Sequence, residues 1–413
     1  MVNYHLTTKS IFTPASLLPS HKRTPSSHSC QERKKSLKVD MSTTASATSD
    51  DLSHRQYLRW DTKGVEDPPP GEQEDIKAVA EQINTQQRQQ FDHHRHVYTG
   101  THCRTHGIVK GTFTVHDALP PHLRQGELFA QPGSFPAACR YSTEPGDPGF
   151  PDTIPTPRGF SIKLFNVKGD FLPTGADGAH PPTQDIEFNS TPAIELADAK
   201  TTREIFNIRM GLGTLLDTKE MNQELEKRKD TELQKGRFQV PNPHLASLRQ
   251  YSQTAYRFGD YVFKYCLVPN TATQEKLADQ TIRPDTDATD QHHKWLQNFH
   301  QNHDAEYLFQ VQLLENLDEQ PVEYSGKEWD SSKYPWQTVA TLQIPKQEAF
   351  DLERKAFWED HMRLDPWHGL KAYQPLGGSN RLRKVVYPAS SKLRRQMNGR
   401  KEIWVKSIDE IPN

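Results

Sequence analysis

Arg383, Tyr387 and Arg394 stand four and then seven residues apart in the stretch Arg381-Leu382-Arg383-Lys384-Val385-Val386-Tyr387-Pro388-Ala389-Ser390-Ser391-Lys392-Leu393-Arg394. If the stretch is helical, that spacing puts all three side chains on one face. Ser379 or Asn380 can cap such a helix at its start, and Asn398-Gly399 can end it. A tyrosine with an arginine one turn before it has a specific chemical use. The guanidinium favours phenolate over phenol, lowering a pKa that is about 10 when unperturbed. A phenolate is a hard anionic ligand for ferric iron, and Arg394 could hold a carboxylate in bidentate fashion. A basic surface helix with a half-buried tyrosine has the same pattern, so these residues alone leave both readings open.

Other residues with chemical potential lie far upstream. Arg104-Thr105-His106-Gly107 precedes an alternating apolar run, and Phe188-Asn189-Ser190-Thr191-Pro192 ends another. Between them run Arg140-Tyr141-Ser142-Thr143, Asp152-Thr153-Ile154 and Pro157-Arg158-Gly159-Phe160-Ser161-Ile162-Lys163-Leu164-Phe165. A neutral imidazole with a pKa near 6.5 can accept a proton and return it, and an asparagine amide can donate to an oxygen. Taken singly, each has a plain structural reading. His106 could be a satisfied core histidine, Arg140 a buried ion-pair partner, and Asn189-Ser190-Thr191 an unused glycosylation sequon. The histidines at 93, 94, 96, 102 and 106 invite a metal reading. No carboxylate or thiolate stands at the usual ligand spacing, and solvated polar histidines are the commoner case.

The elements that must position these residues read as follows. Ile76, Val79, Ala80 and Ile83 recur at helical spacing and predict an amphipathic helix over 73–91, after the breaker Pro68-Pro69-Pro70. From His106 onward the period changes to two. Val109/Gly111/Phe113/Val115, residues 136–143, Phe160/Ile162/Leu164, Ile186/Phe188, Tyr261/Phe263/Tyr265/Leu267, Phe309/Val311/Leu313 and Ala340/Leu342/Ile344 are strand candidates. Helices are expected at about 215–235, 244–254, 272–300 and 346–363. The fold class is therefore α+β, with a β-rich antiparallel barrel or sandwich core.

Of 413 residues, 33% are hydrophobic and 30 are proline, which predicts much irregular structure. With 51 basic against 53 acidic residues, the balance gives no whole-chain case for a nucleic-acid partner. No apolar run approaches the ~18 residues of a membrane span. The cysteines Cys30, Cys103, Cys139 and Cys266 are scattered, which argues against a zinc site or a disulfide framework. Residues 1–68 are Ser-, Thr- and Pro-rich and are expected to be a disordered extension, leaving 69–413 as the folded domain. The acid-poor start can be a mitochondrial presequence. Met41 also reads as a second start, and with no secretory or peroxisomal signal in view a cytoplasmic location is preferred.

In family order, these motifs resemble the catalase superfamily, whose core runs Arg-Phe-Ser-Thr, then Asp-Thr, then Pro-Arg-Gly-Phe at the same internal spacing. The Asn189 segment is similar to the family's distal-asparagine motif, and Arg383-x3-Tyr387-Pro388-x5-Arg394 to its proximal helix. The resemblance covers about 95–395 and implies a barrel of the catalase type holding haem b. Carried over residue by residue, it makes Tyr387 the axial ligand to the iron, with Arg383 behind it. His106 becomes the distal base, Asn189 its partner and Ser142 its hydrogen-bond support. Arg140 and Arg394 would hold the propionates. A hydroperoxide must move a proton from its inner to its outer oxygen before the O–O bond can break, which is the task such a base performs.

The chain departs from the family pattern in places. Thr105 stands where catalases carry an aliphatic residue before the distal histidine. This resembles the allene oxide synthase branch and the small catalase-related peroxidases, as does Leu376-Gly377-Gly378-Ser379-Asn380-Arg381. The channel aspartate is replaced by Thr156, which weakens the field that orients H2O2. The arginine expected three residues before the distal histidine is Cys103, with Arg104 one place later. The resemblance thus implies a hydroperoxide oxidoreductase of small-subunit type, with organic and plausibly fatty-acid hydroperoxides as substrates. An ordinary catalase, and a non-catalytic haem-binding or lipid-interaction protein, are the alternatives. Homo-oligomerisation and peripheral membrane contact stay open.

Overall fold

The computed structural model describes residues 52–173 and 181–413. Nine strands are found there: β1 (Arg104–Val115), β2 (Gly133–Thr143), β3 (Arg158–Leu164), β4 (Gln184–Asn189), β5 (Gln250–Tyr251), β6 (Tyr256–Phe258), β7 (Tyr261–Pro269), β8 (Ala305–Leu313) and β9 (Gln337–Ile344). All ladders are antiparallel. The order β5-β4-β3-β2-β1-β9-β8-β7 closes on itself because β5 also pairs with β7, Gln250 opposite Leu267 and Tyr251 opposite Cys266. Eight strands thus make an antiparallel barrel, and β6 hangs from β7 as a hairpin.

The period-2 pattern explains the barrel's filling. Val109, Phe113, Tyr141, Phe160, Phe188, Tyr265 and Phe309 point inward and form one buried cluster. Phe309 lies parallel to Tyr265 (centroids 5.5 Å apart) and to Phe129 (5.9 Å), so stacked rings occupy the axis. Burying each such ring contributes roughly 1.5–3 kcal/mol. The intervening residues, Arg140 and Ser142 on β2 and Glu187 and Asn189 on β4, necessarily face outward.

Among the described residues nine α-helices surround the barrel: α1 (Glu72–His94), α2 (Gly126–Phe129), α3 (Ala199–Leu212), α4 (Lys219–Leu225), α5 (Thr231–Gly236), α6 (Ala272–Lys276), α7 (His292–Asn302), α8 (Leu352–His361) and α9 (Gly378–Met397). The stripe Ile76, Val79, Ile83 of α1 packs on Ala199 and Phe206 of α3 and on Leu382 and Val386 of α9. This three-helix layer holds α9 against the barrel wall. Gly377 enters α9 at φ +86°, where a Cβ would stand 2.2 Å from the Val322 carbonyl oxygen, so glycine is required. Arg381 then ties the first turn to Glu72 and Glu66 (2.7 and 2.8 Å) and to Glu323. Asn380, fully buried, donates to the carbonyls of Ala255 (2.8 Å) and Leu376 (3.0 Å). Gly399, at φ +64°, follows the last turn as expected.

Four expectations change. Residues 52–68 belong to the fold: Leu58 N–H donates to Leu314 (2.8 Å), Trp60 N–H to Asp260 (3.0 Å), and Val65 is fully buried. Their few apolar residues, Leu58, Trp60 and Val65, join one cluster with distant residues such as Leu314 and Trp329 and show no helical or strand period, which hid them; the rest of the expected disordered extension lies outside the described residues. The helix expected at 244–254 is a single 3-10 turn followed by β5, whose two residues are too few to show a period. The helices expected at 215–235 and 272–300 each divide into two shorter ones. Finally, α3 was not anticipated, although Asp198 caps it by accepting from Thr201 N–H (2.7 Å).

Candidate functional site

A pocket lies between the outer face of the barrel wall and the α1/α3/α9 layer, with about 1660 Å³ of empty space including its open mouth. Each wall follows from its element's period. From α9 come Leu382, Arg383, Val386, Tyr387, Ser390 and Arg394, one helical face. From the barrel come Arg140 and Ser142, Gly159, and Glu187 and Asn189. Thr101 and His102, just before β1, complete the wall, and Val79, Ile83 and Phe206 make it apolar on the helix side.

The histidine at this wall is His102, and the expectation for His106 is corrected. The β1/β2 register runs Thr105↔Ser142 and then Gly107↔Tyr141, so His106 is the extra residue of a bulge. Its fully buried ring turns away from the pocket, with Nε2 2.6 Å from Thr143 Oγ1 and 3.9 Å from Asp152. The Thr143 hydroxyl also accepts from Arg158 Nη1 (2.5 Å). Burial, and then the neighbouring His292 and Arg158, hold His106 well below the usual imidazole range. Arg104 is also directed elsewhere, donating to Phe150 O (2.5 Å) and Asp290 (2.7 Å). Thr105 is absent from the pocket wall as well, because its hydroxyl accepts from Arg140 Nε (3.0 Å).

His102 is positioned by several groups. Its Nδ1 is 3.1 Å from Ser142 Oγ, its N–H donates to Glu144 O (2.6 Å), and its carbonyl accepts from Arg140 Nη2 (2.5 Å). The backbone there has φ +51°, a conformation that costs energy and is held by these contacts. Gly159 lies under the ring, where a Cβ would stand 2.5 Å from Nδ1 and 2.9 Å from Ser142 Oγ. Burial, and then the Arg140 and Arg383 cations, push the imidazole down to about 3, so it is neutral at physiological pH. A sequence signal for it existed: Thr101-His102 and Thr105-His106 are the same dipeptide four residues apart. Local pattern cannot choose between them.

Asn189 lines the pocket, its Oδ1 accepting from Ser190 N–H (2.7 Å), which leaves Nδ2 as donor. Arg394 donates to the carbonyls of Glu359 (2.5 Å) and Met362 (2.7 Å), while its buried Nε has no partner. The Tyr387 hydroxyl donates to Glu187 Oε2 at 2.6 Å. The expected lowering of the Tyr387 pKa is therefore overturned for the chain as it stands. Burial first, then the Glu187 carboxyl, push the phenol well above its ordinary 10, outweighing Arg383. Burial pushes Glu187 up to about 7, against the pull of Arg383 and the Tyr387 hydrogen bond. Burial by itself works against the Arg383 cation, but Tyr387, Tyr256 and Glu187 hold it above its usual value. Sequence reasoning passed over Glu187, although it stands two residues before Asn189 and so shares its strand face.

Of the histidine-dense stretch, His94 pairs with Asp147 (3.6 Å) and His96 with Asp360 (3.3 Å). Among the described residues no group of three or more His, Cys, Asp or Glu side chains converges as a metal site, and no helix is long and apolar enough to cross a membrane.

No protein-family model matches the chain. One stretch of 82 residues is 35% identical to Catalase C of Rhizobium meliloti, covering 20% of this chain and 11% of that protein. The fold is similar to the crystal structure of a fungal catalase (TM-score 0.53, 15% identity, 74% of this chain and 60% of that one). A bacterial catalase (TM-score 0.52, 16% identity, 76% and 62%) and catalase A of Saccharomyces cerevisiae (TM-score 0.52, 15% identity, 75% and 64%) are similar to the same degree. The chain thus has a catalase-like fold and spans about three fifths of the length of these structures.

Proposed function

We propose that this protein is a haem-dependent oxidoreductase of the catalase superfamily acting on hydroperoxides, with organic hydroperoxides preferred. The observation that carries the proposal is the convergence of Tyr387 and Arg383 from α9 with His102, Ser142 and Asn189 from the barrel side of one pocket. The donor set fits haem b. Tyr387 would hold the iron through its phenol oxygen, and Arg140 and Arg394, the latter with an unpartnered Nε, would hold its carboxylates. The apolar Val79, Ile83 and Phe206 suit a flat macrocycle. Haem b, when bound, supplies a redox-active iron for O–O cleavage.

The chain's own residues then handle the proton. In the tautomer that donates Nδ1–H to Ser142 Oγ, 3.1 Å away, Nε2 of His102 keeps a free lone pair. His102 is placed to take the proton from one peroxide oxygen and return it to the other. Its depressed pKa keeps it neutral. Asn189 Nδ2 donates to the peroxide oxygens. Thr101 precedes this histidine and lines the pocket, so the threonine associated with organic hydroperoxides is kept in the corrected register. The similarity to catalases favours a second reading, ordinary dismutation of H2O2.

An absorption spectrum of the haem-loaded protein, with a panel of peroxides, tests these readings. Tyr387→Phe is expected to alter the ferric spectrum or abolish haem retention; an unchanged spectrum overturns the ligand assignment. Steady oxygen release from H2O2 without reductant favours the catalase reading. A haem spectrum with no turnover of any peroxide favours a binding protein.

A further inference from the structure

We infer that Glu187 is a latch on the Tyr387 oxygen: it must be displaced before iron can bind there, and it therefore weakens and slows haem loading. This rests on the haem reading above and concerns a residue to which that reading gives no role. The carboxyl comes from the barrel wall and the phenol from α9, 200 residues later in the chain, and both line the same pocket. At 2.6 Å nothing fits between the two oxygens. The latch is built into rigid elements. Glu187 sits on β4 opposite Ser161, with its carbonyl accepting from Tyr265 Oη (3.2 Å), and α9 is fixed at its start by Gly377, Asn380 and Arg381.

Two contributions oppose loading. A phenol cannot both donate to Glu187 and bind iron as phenolate, so the hydrogen bond is lost. The carboxyl must then remain in the pocket beside Asn189, on the same strand face, with Arg383 as the cation that acts on it there. Hydrogen bonds of this charged type correspond to roughly a tenfold to hundredfold change in an equilibrium constant.

The experiment is a titration of haem-free protein with hemin, followed by Soret absorbance and stopped-flow uptake, for wild type, Glu187→Gln and Glu187→Val. Glu187→Val is expected to bind hemin roughly tenfold or more tightly and take it up faster. Glu187→Gln, which keeps an acceptor, should fall between. Wild-type hemin uptake with an equal or weaker Glu187→Val overturns the latch and leaves the haem reading standing. No Soret band from any of the three chains overturns both. Should Glu187→Val not fold, a double-mutant cycle of Glu187→Gln with Tyr387→Phe on haem-free protein still decides. The latch requires non-additive shifts in the unfolding midpoint, and strictly additive shifts refute it.

Discussion

Replacing His102 by asparagine is expected to slow peroxide turnover per bound haem by about 10²–10⁴-fold, the usual contribution of a positioned acid–base group. Asparagine isolates the chemistry for two reasons. It tolerates the left-handed backbone that position 102 adopts, at φ +51°. Its amide can also stand where Nδ1 stands, 3.1 Å from Ser142 Oγ, but cannot take up a proton. The companion substitution is His106→Ala. His106 is fully buried at the β1 bulge, beside Thr143, Asp152 and His292, and does not line the pocket. Removing it takes from the Thr143 hydroxyl one of its two partners, Arg158 Nη1 being the other, at a stability cost of about 0.5–1.5 kcal/mol for the lost hydrogen bond, and leaves turnover per haem within a few-fold of wild type. The assay is initial peroxide consumption normalised to Soret absorbance, with denaturant unfolding alongside. If His106→Ala loses a hundredfold at full haem occupancy while His102→Asn stays near wild type, the assignment of the base is refuted.

Gly159→Ala places a methyl 2.5 Å from His102 Nδ1, so the ring must shift; turnover should fall at least about tenfold with haem binding kept, and unchanged turnover would show that ring position is not critical. Thr101→Val is nearly isosteric and removes one hydroxyl. If that hydroxyl restrains H2O2 chemistry, dismutation should rise a few-fold to about tenfold relative to organic-hydroperoxide consumption, and an unchanged ratio removes Thr101 as a determinant. Burial of Lys264 lowers it from 10.5 to about 7, with Glu328 pulling the other way. Between those values the unfolded chain holds a proton that the folded one does not, so this site makes stability rise with pH, by up to ~1.4 kcal/mol per unit. Lys264→Met should flatten that slope between pH 7 and 10 in urea unfolding; a slope equal to wild type refutes the assignment.

Much of this molecule is local and was therefore legible in the chain. Period-2 runs marked seven of the eight barrel strands and, with them, which of Arg140, Ser142 and Asn189 share the outer face. The i, i+4, i+11 spacing of Arg383, Tyr387 and Arg394 placed them on one side of α9. Three things were decided only by tertiary structure. Barrel closure depends on β5, two residues whose strand state comes entirely from pairing with β4 and β7. The choice between His102 and His106 is tertiary because the two Thr-His pairs are locally identical: the one-residue bulge of β1 turns His106 away from the pocket, while contacts with Ser142, Glu144 and Arg140 hold His102 at its wall. The state of Tyr387 depends on Glu187. Spacing along a helix reports Arg383, one turn away, but not a carboxyl brought across a pocket from another sheet strand. The chain therefore displays a tyrosine poised as phenolate, whereas the fold holds a phenol hydrogen-bonded to a half-buried acid.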